Sequence, residues 1–133
     1  MNITADTNVL VRYVVKDDAA QWRAASEALE NAASVAVPLT VLCELGWVLR
    51  SVYSFTRDKI ADVMETLTRT SNLDLNRSAV EAGLLALNAG GDFADGVIAF
   101  EGAWLGGDTF VSFDRKAIRL LKSQGYATRL LHT

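Results

Sequence analysis

The 133-residue sequence predicts an α/β fold in which a mostly parallel sheet is combined with helices. Short apolar runs typical of buried strands alternate along the chain with longer segments whose apolar residues recur at helical spacing. This alternation is typical of parallel strands joined by helices. Half of the residues are apolar, which is enough for a hydrophobic core at this length, and no linker or repeat divides the chain. We therefore expect a single domain over residues 1–133.

The first half of the chain contains three strand candidates and four helix candidates. The strands are expected at residues 2–6, 35–38 and 73–75, and the helices at 7–15, 18–32, 39–53 and after Thr56. Asp17 or Asp18 is a suitable N-cap for the second helix. The second strand ends at Pro38, because proline has no backbone N–H for a sheet hydrogen bond. Leu42, Leu45, Leu49 and Val52 line one face of the third helix.

The second half continues the alternation. Helices are expected from Ser78, from Asp92 to about Trp104 and over 115–124, and strands over 109–113 and 128–131. Ser78 and Glu81 fit a capping box, and Gly125 is suited to the C′ position that ends a helix. Trp47 and Trp104 lie among apolar helix residues, so we expect both in the core. In such folds the functional site lies at the carboxyl ends of the strands.

The overall charge argues against a protein that binds nucleic acid through a broad basic surface. The net charge is −3 and the calculated pI is about 5.1, so such a function needs local basic groups or bound metal ions. Cys43 is the only cysteine, which excludes an internal disulfide. The first residues contain no charged leader before a long apolar stretch, and no apolar run reaches the roughly 18 residues of a membrane span. We therefore expect a cytoplasmic protein.

Four carboxylates occupy positions suited to an α/β site. Asp6 ends the first strand, Asp114 follows the fourth, Asp95 lies in the first turn of a helix, and Glu44 lies in an otherwise apolar helix. A buried Glu44 would need a partner, whereas a solvent-facing one would not. The simpler explanation for Asp6, Asp95 and Asp114 is that each stabilises the N-terminus of a helix. We interpret Asp92 as an N-cap only.

Taken together, the carboxylates predict a divalent cation. Clustered carboxylates repel one another unless a cation lies among them, and an all-oxygen ligand set suits Mg²⁺ or Mn²⁺. Such an ion can activate a water molecule and offset the charge of a phosphodiester. The only histidine, His132, lies next to the last residue. Histidine-based ribonucleases and zinc hydrolases with histidine ligands are therefore disfavoured.

Four segments in the same order resemble the motifs of the PIN-domain family, and more narrowly its VapC-type toxin ribonucleases. They are Ala5–Leu10, Val37–Leu45, Gly91–Ala99 and Val111–Arg115, and the resemblance spans essentially the whole chain. It implies a three-layer α/β/α fold with a parallel sheet of four or five strands. It also implies RNA cleavage by a water activated by Mg²⁺ or Mn²⁺, which leaves a 3′-hydroxyl and a 5′-phosphate.

The resemblance assigns roles to individual residues. Asp6, Asp95 and Asp114 are expected to hold the metal, with Glu44 completing the acidic pocket. The residues expected to orient these carboxylates by hydrogen bonds are Thr7, Asn8 and Ser112. One departure is Gly96, where relatives often have alanine. Because glycine is a poor helix former, we expect it to loosen the helix start that holds Asp95, while activity survives.

The resemblance also implies partners. Relatives are commonly homodimers, and a small antitoxin of the VapB type inhibits them, often by placing an arginine in the acidic pocket. Arg12, Arg50 and Arg115 are candidate contacts to RNA or to the antitoxin; ordinary solvated arginines are the alternative. The sequence names neither the RNA target nor the number of metal ions.

Three other functions fit parts of the sequence. An aspartyl-phosphate phosphatase would use Asp6 as its nucleophile, but its motif has a second aspartate where this chain has Asn8. A non-catalytic PIN-like module that binds RNA or protein is expected to lose acidic positions, and all four are present. A receiver-type phosphorylation domain would need an aspartate pair near the start and a lysine near the last strand, and this chain has neither such a pair nor a suitable lysine there.

Overall fold

Seven helices and five strands account for most of the chain in a computed structural model that describes residues 1–133. In chain order the elements are β1 (Asn2–Thr4), α1 (Thr7–Val15), α2 (Ala19–Asn31), β2 (Ser34–Ala36), α3 (Leu39–Ser51), α4 (Arg57–Arg69), β3 (Leu73–Asp74), α5 (Arg77–Asn88), α6 (Phe93–Trp104), β4 (Thr109–Ser112), α7 (Arg115–Ser123) and β5 (Ala127–Leu130). The chain divides into a first unit, Met1–Arg77, and a second unit, Ser78–Thr133. Each unit is described by itself.

The first unit contains a three-stranded parallel sheet in the order β1-β2-β3. Ile3 lies opposite Val35, and Val35 lies opposite Leu73, so β2 is the central strand. Helix α1 packs against α2 and α3, and α3 packs against α4. The largest fully buried side chains of this unit are Leu10, Val35, Leu42, Leu45, Leu49, Ile60 and Met64. These aliphatic residues form the core that holds the helices together.

The second unit contains two parallel strands, β4 and β5, joined by α7. Helix α7 packs on both strands, and α6 packs against α7 and β4. Its core includes Ala86, Ala99, Leu120 and Leu121, with Phe110 and Tyr126 packed against them.

Helix α7 ends in a Schellman motif. Gly125 has a φ of +95°, its N–H donates to the carbonyl of Lys122, and the N–H of Tyr126 donates to the carbonyl of Leu121. The predicted C′ role of Gly125 is therefore confirmed. Of the two N-cap candidates for α2, Asp18 is confirmed, because its side chain accepts a hydrogen bond from Gln21 N. Helix α4 begins after Thr56 as predicted, and the Thr56 side chain caps it by accepting from Lys59 N.

The predicted α/β class with parallel pairing is confirmed, and the five predicted strands are all present. By hydrogen bonding they form sheets of three and two strands. Helix α5 begins at Arg77, so Ser78 lies inside its first turn and is not the N-cap we predicted. No helix has the length and apolar character needed to cross a bilayer.

Three apolar side chains lie where we did not expect them. Trp47 is 66% exposed, because it lies on the opposite side of α3 from Leu45 and Leu49. Trp104 is 79% exposed at the last residue of α6, and Val52 is 61% exposed just beyond the end of α3. The predictions that Trp47 and Trp104 belong to the core were wrong, and Val52 does not share the buried face of Leu42, Leu45 and Leu49.

Candidate active site

Asp6 lies between the end of β1 and the first residue of α1. The N–H of Ala5 donates to the carbonyl of Ala36 at 3.0 Å, so pairing with the β2 side of the sheet continues up to this point. Asp6 is the N-cap of α1, and its Oδ1 accepts a hydrogen bond of 2.8 Å from Thr7 N. No donor reaches Oδ2. The side chain is exposed, so this second oxygen remains available to a ligand while the first stabilises the helix.

Glu44 faces the same cavity as Asp6. The cavity has a volume of about 410 Å³ and is lined by Asp6, Thr7, Asn8, Val11, Arg12, Glu44, Val48, Val52 and Tyr53. Glu44 is exposed on α3, the helix that packs against α1. It therefore faces both solvent and the cleft, which we had treated as alternatives. The first unit thus brings two of the four predicted carboxylates together.

Arg12 places a positive charge at this cavity. Its Nη1 lies 2.9 Å from Oδ1 of Asp17, and the hydroxyl of Tyr53 donates to Oδ2 of Asp17 at 3.4 Å. The Nε of Arg12 is buried and has no hydrogen-bond acceptor. Arg12 is therefore an ion-paired residue at the rim of the acidic cavity, which differs from an ordinary solvated arginine.

The other predicted contacts and orienting residues are placed as follows. Arg50 is exposed on α3, and Arg115 is exposed as the first residue of α7. Thr7 contacts Asp6 through its backbone N–H, and Asn8 lines the same cavity.

In the second unit, Asp95 lies in the first turn of α6, three residues after Asp92. Burial is the largest effect that raises the pKa of Asp95, and the negative charges of Asp92 and Asp114 raise it further. Asp92 is the N-cap residue by position, but its side chain makes no capping hydrogen bond. The N-cap position predicted for Asp92 is therefore confirmed, but its carboxylate makes no capping bond and adds to the charge around Asp95. The spacing of three residues was the signal that pointed to this pairing.

Asp114 lies directly after β4 and caps α7. Its Oδ1 accepts hydrogen bonds from Lys116 N at 2.9 Å and Ala117 N at 3.2 Å, whereas no donor reaches Oδ2. Ser112 was expected to bond this carboxylate, but its Oγ instead accepts a hydrogen bond of 2.9 Å from Asp114 N. Ser112 therefore orients the backbone of Asp114, and the predicted helix cap is real.

The donor chemistry of these residues suits a hard cation, because the acidic side chains of both units offer oxygen ligands only. Burial and the negative charges of Asp92 and Asp114 raise the pKa of Asp95, and a cation bound beside it would lower that pKa. No group of three or more histidine, cysteine, aspartate or glutamate side chains is, however, close enough to hold a metal ion as it stands. The ligand set Asp6, Asp95 and Asp114 stays a prediction.

The family model of the PIN domain matches residues 3–122, which is most of the chain and includes all four predicted carboxylates. The chain belongs to the PIN domain family. PIN domains are generally nucleases, and this membership confirms the PIN-like α/β fold that the four motifs implied. No curated protein matches the sequence.

Proposed function

We propose that this PIN-domain chain is a Mg²⁺- or Mn²⁺-dependent endoribonuclease that acts as the toxin of a toxin–antitoxin pair. The observation that carries the metal dependence is the environment of Asp95. Burial and two further carboxylates, Asp92 and Asp114, disfavour its charged form. A divalent cation bound beside Asp95 would lower its pKa and favour the ionised carboxylate.

In this proposal Asp6, Asp95 and Asp114 hold the metal, and Glu44 orients water or a second ion. When bound, the metal supplies a nucleophilic water at neutral pH and offsets the charge that develops on the phosphodiester. Asp6 and Asp114 are suited to the task because helix N–H groups bind one oxygen of each. A carboxylate held in this way reaches a ligand with its second oxygen at a small entropic cost.

The substrate and the partners are also part of the proposal. RNA is favoured as substrate by the family, and Arg12 is the positive group best placed to contact a phosphate near Asp6 and Glu44. The exposed Arg50 and Arg115 are further candidates for contact with RNA or antitoxin. A small VapB-like antitoxin, a homodimeric state and a cytoplasmic location complete the proposed function.

One observation favours a second candidate, a PIN-like module that binds RNA or protein without cutting it. A metal ion needs several ligands at once, and the side chains contain no group of three that could bind one without rearrangement. A module of this kind would bind RNA in EDTA and leave it intact in Mn²⁺.

The test is cleavage of a mixed RNA pool by purified, partner-free protein in Mg²⁺, Mn²⁺ or EDTA, with Asp6→Asn compared alongside. Asparagine is as good an N-cap as aspartate, so this change removes the charge and keeps the helix start. Asp18→Asn is the matched control, because Asp18 caps α2 and is not among the residues that line the acidic cavity.

We expect metal-dependent cleavage that Asp6→Asn reduces by about 100-fold or more and that Asp18→Asn leaves unchanged. Folded protein that binds RNA but never cuts it in either metal would favour the binding module. Equal activity of the wild type and Asp6→Asn would exclude Asp6 as a ligand.

A further inference from the structure

Helix α6 approaches α5 so closely at Gly96 that no side chain fits there. A Cβ at this position would clash with the carbonyl oxygen of Ala82 and would lie 2.7 Å from its carbonyl carbon and 2.9 Å from Cα of Gly83. All three atoms belong to the backbone of α5, so no change of rotamer could relieve the clash. Only a shift of one helix relative to the other could do so.

A second close contact between α5 and α6 involves Gly83 on α5. A Cβ at Gly83 would lie 2.5–2.8 Å from ring atoms of Phe93, the first residue of α6. The ring is 3% exposed, so it is enclosed by its neighbours. Phe93 and Gly96 therefore hold the first turn of α6 against α5 at two points, and Asp95 lies between them in the sequence.

Gly102, on the same helix, shows that this property is local. A Cβ at Gly102 would meet nothing within 4 Å, although Gly102 and Gly96 are both inside α6. Glycine is therefore tolerated at position 102 and needed for packing at position 96. The sequence suggested that Gly96 loosens the helix start near Asp95, whereas the structure shows that it permits the closest packing in that turn.

We propose that Gly96, together with the contact between Gly83 and Phe93, positions Asp95 for metal binding. This inference rests on the proposed function, in which Asp95 is a metal ligand. Asp95 is half-buried and lies close enough to Asp92 and Asp114 for their charges to act on it. The position of its carboxylate therefore depends on the distance between the first turn of α6 and α5. A helix displaced by an added methyl group carries Asp95 with it. Misplacements of about 1 Å are enough to reduce catalysis by about 100-fold.

The experiment compares Gly96→Ala with Gly102→Ala, which make the same chemical change on the same helix. Thermal unfolding is measured first, and Mn²⁺ affinity and cleavage kinetics are then measured at a temperature where both variants are folded. Gly102→Ala should raise the unfolding temperature slightly and bind Mn²⁺ like the wild type, because alanine is the better helix former. Gly96→Ala should unfold at a temperature lower by about 5–10 °C. It should also bind Mn²⁺ about 10- to 100-fold more weakly. Its kcat should fall by a larger factor than its KM changes.

A second pair of variants keeps the proposal testable if Gly96→Ala does not fold. Gly83→Ala should lower both stability and Mn²⁺ affinity, and the added change Phe93→Leu should restore part of both, because it removes the ring that the methyl group meets. Stability restored without any recovery of Mn²⁺ affinity would contradict a positioning role.

The outcomes separate this inference from the proposed function. If the wild type binds no Mn²⁺, the proposed function fails, and the positioning role fails with it. If the wild type binds Mn²⁺ and folded Gly96→Ala binds it equally well, the proposed function survives and the positioning role alone is overturned.

Discussion

The acidic residues of the first unit and those of the second lie in different electrostatic surroundings. Asp6 and Glu44 are exposed and share their cavity with the guanidinium of Arg12. Asp95 is half-buried, and the charged groups that shift its pKa are both negative. The first pair therefore lies near a guanidinium that is ion-paired to Asp17, whereas the neighbours that act on Asp95 are carboxylates. If the proposed function holds, we therefore expect the carboxylates of the second unit to contribute more to metal affinity than those of the first.

The comparison also shows that capping and ligand binding are compatible. Asp6 and Asp114 each accept hydrogen bonds from a helix start through one carboxylate oxygen, and each keeps a second oxygen without a donor. Asp95 has no such bond and relies on packing at Gly96. Substitutions that keep the cap and remove the charge can therefore separate the structural role of a carboxylate from its functional role.

The largest expected effect is on metal affinity. Asp95→Asn should weaken Mn²⁺ binding by about 100-fold or more, because it removes a proposed ligand whose charged neighbours are carboxylates. Glu44→Gln should weaken it by only about 10-fold, because Glu44 orients water or a second ion and has Arg12 at the same cavity. Isothermal titration calorimetry at constant pH measures both.

Glu101→Gln, an exposed position on α6, serves as the control for this pair and should bind Mn²⁺ like the wild type. A larger loss in Glu44→Gln than in Asp95→Asn would reverse the comparison between the two units.

A smaller effect separates the cap of α7 from its charge. Asp114→Ala should lower the free energy of unfolding by about 1 kcal/mol, because Lys116 N and Ala117 N lose their acceptor. Asp114→Asn should leave stability nearly unchanged, since asparagine caps equally well, and should still lose RNA cleavage. Urea denaturation measures the free energy of unfolding of each variant, and cleavage assays measure its ribonuclease activity. Full activity in Asp114→Asn would show that capping is the only role of Asp114.

The smallest effect concerns the pH dependence of stability without metal. The pKa of Asp95 is raised in the folded state above its ordinary value of 3.8, so the folded state keeps the proton when the unfolded state has lost it. The stability contributed by protonated Asp95 is therefore fully present below pH 3.8 and is lost as pH rises through the folded-state pKa. Asp95→Asn cannot ionise and should lack this loss.

Urea denaturation in EDTA at a series of pH values checks this expectation. The free energy of unfolding of the wild type should fall relative to that of Asp95→Asn as the pH rises, and saturating Mn²⁺ should reverse the trend. Parallel curves for the two proteins in EDTA would mean that Asp95 carries no unfavourable charge in the folded state.

Much of the fold could be predicted because it depends on local chemistry. The cap at Asp18, the start of α4 after Thr56 and the end of α7 at Gly125 follow from side-chain hydrogen bonds and from the freedom of glycine to adopt a positive φ. The position of Asp6 after a strand also follows from the local sequence. The start of α5 was misplaced, since Ser78 was predicted to cap a helix that in fact begins at Arg77, because helix boundaries are the least constrained part of such patterns.

What the sequence determined by itself was the order of strands and helices, the motifs of the PIN domain and the carboxylates that such a site can use. Periodicity and capping act over a few residues, so they can be recognised without knowing what packs where. The exposure of Trp47 and Trp104, the absence of a capping bond at Asp92 and the need for glycine at position 96 were decided by tertiary structure. Each depends on contacts between residues from different elements, or on which side of a helix is covered, and no local pattern records these.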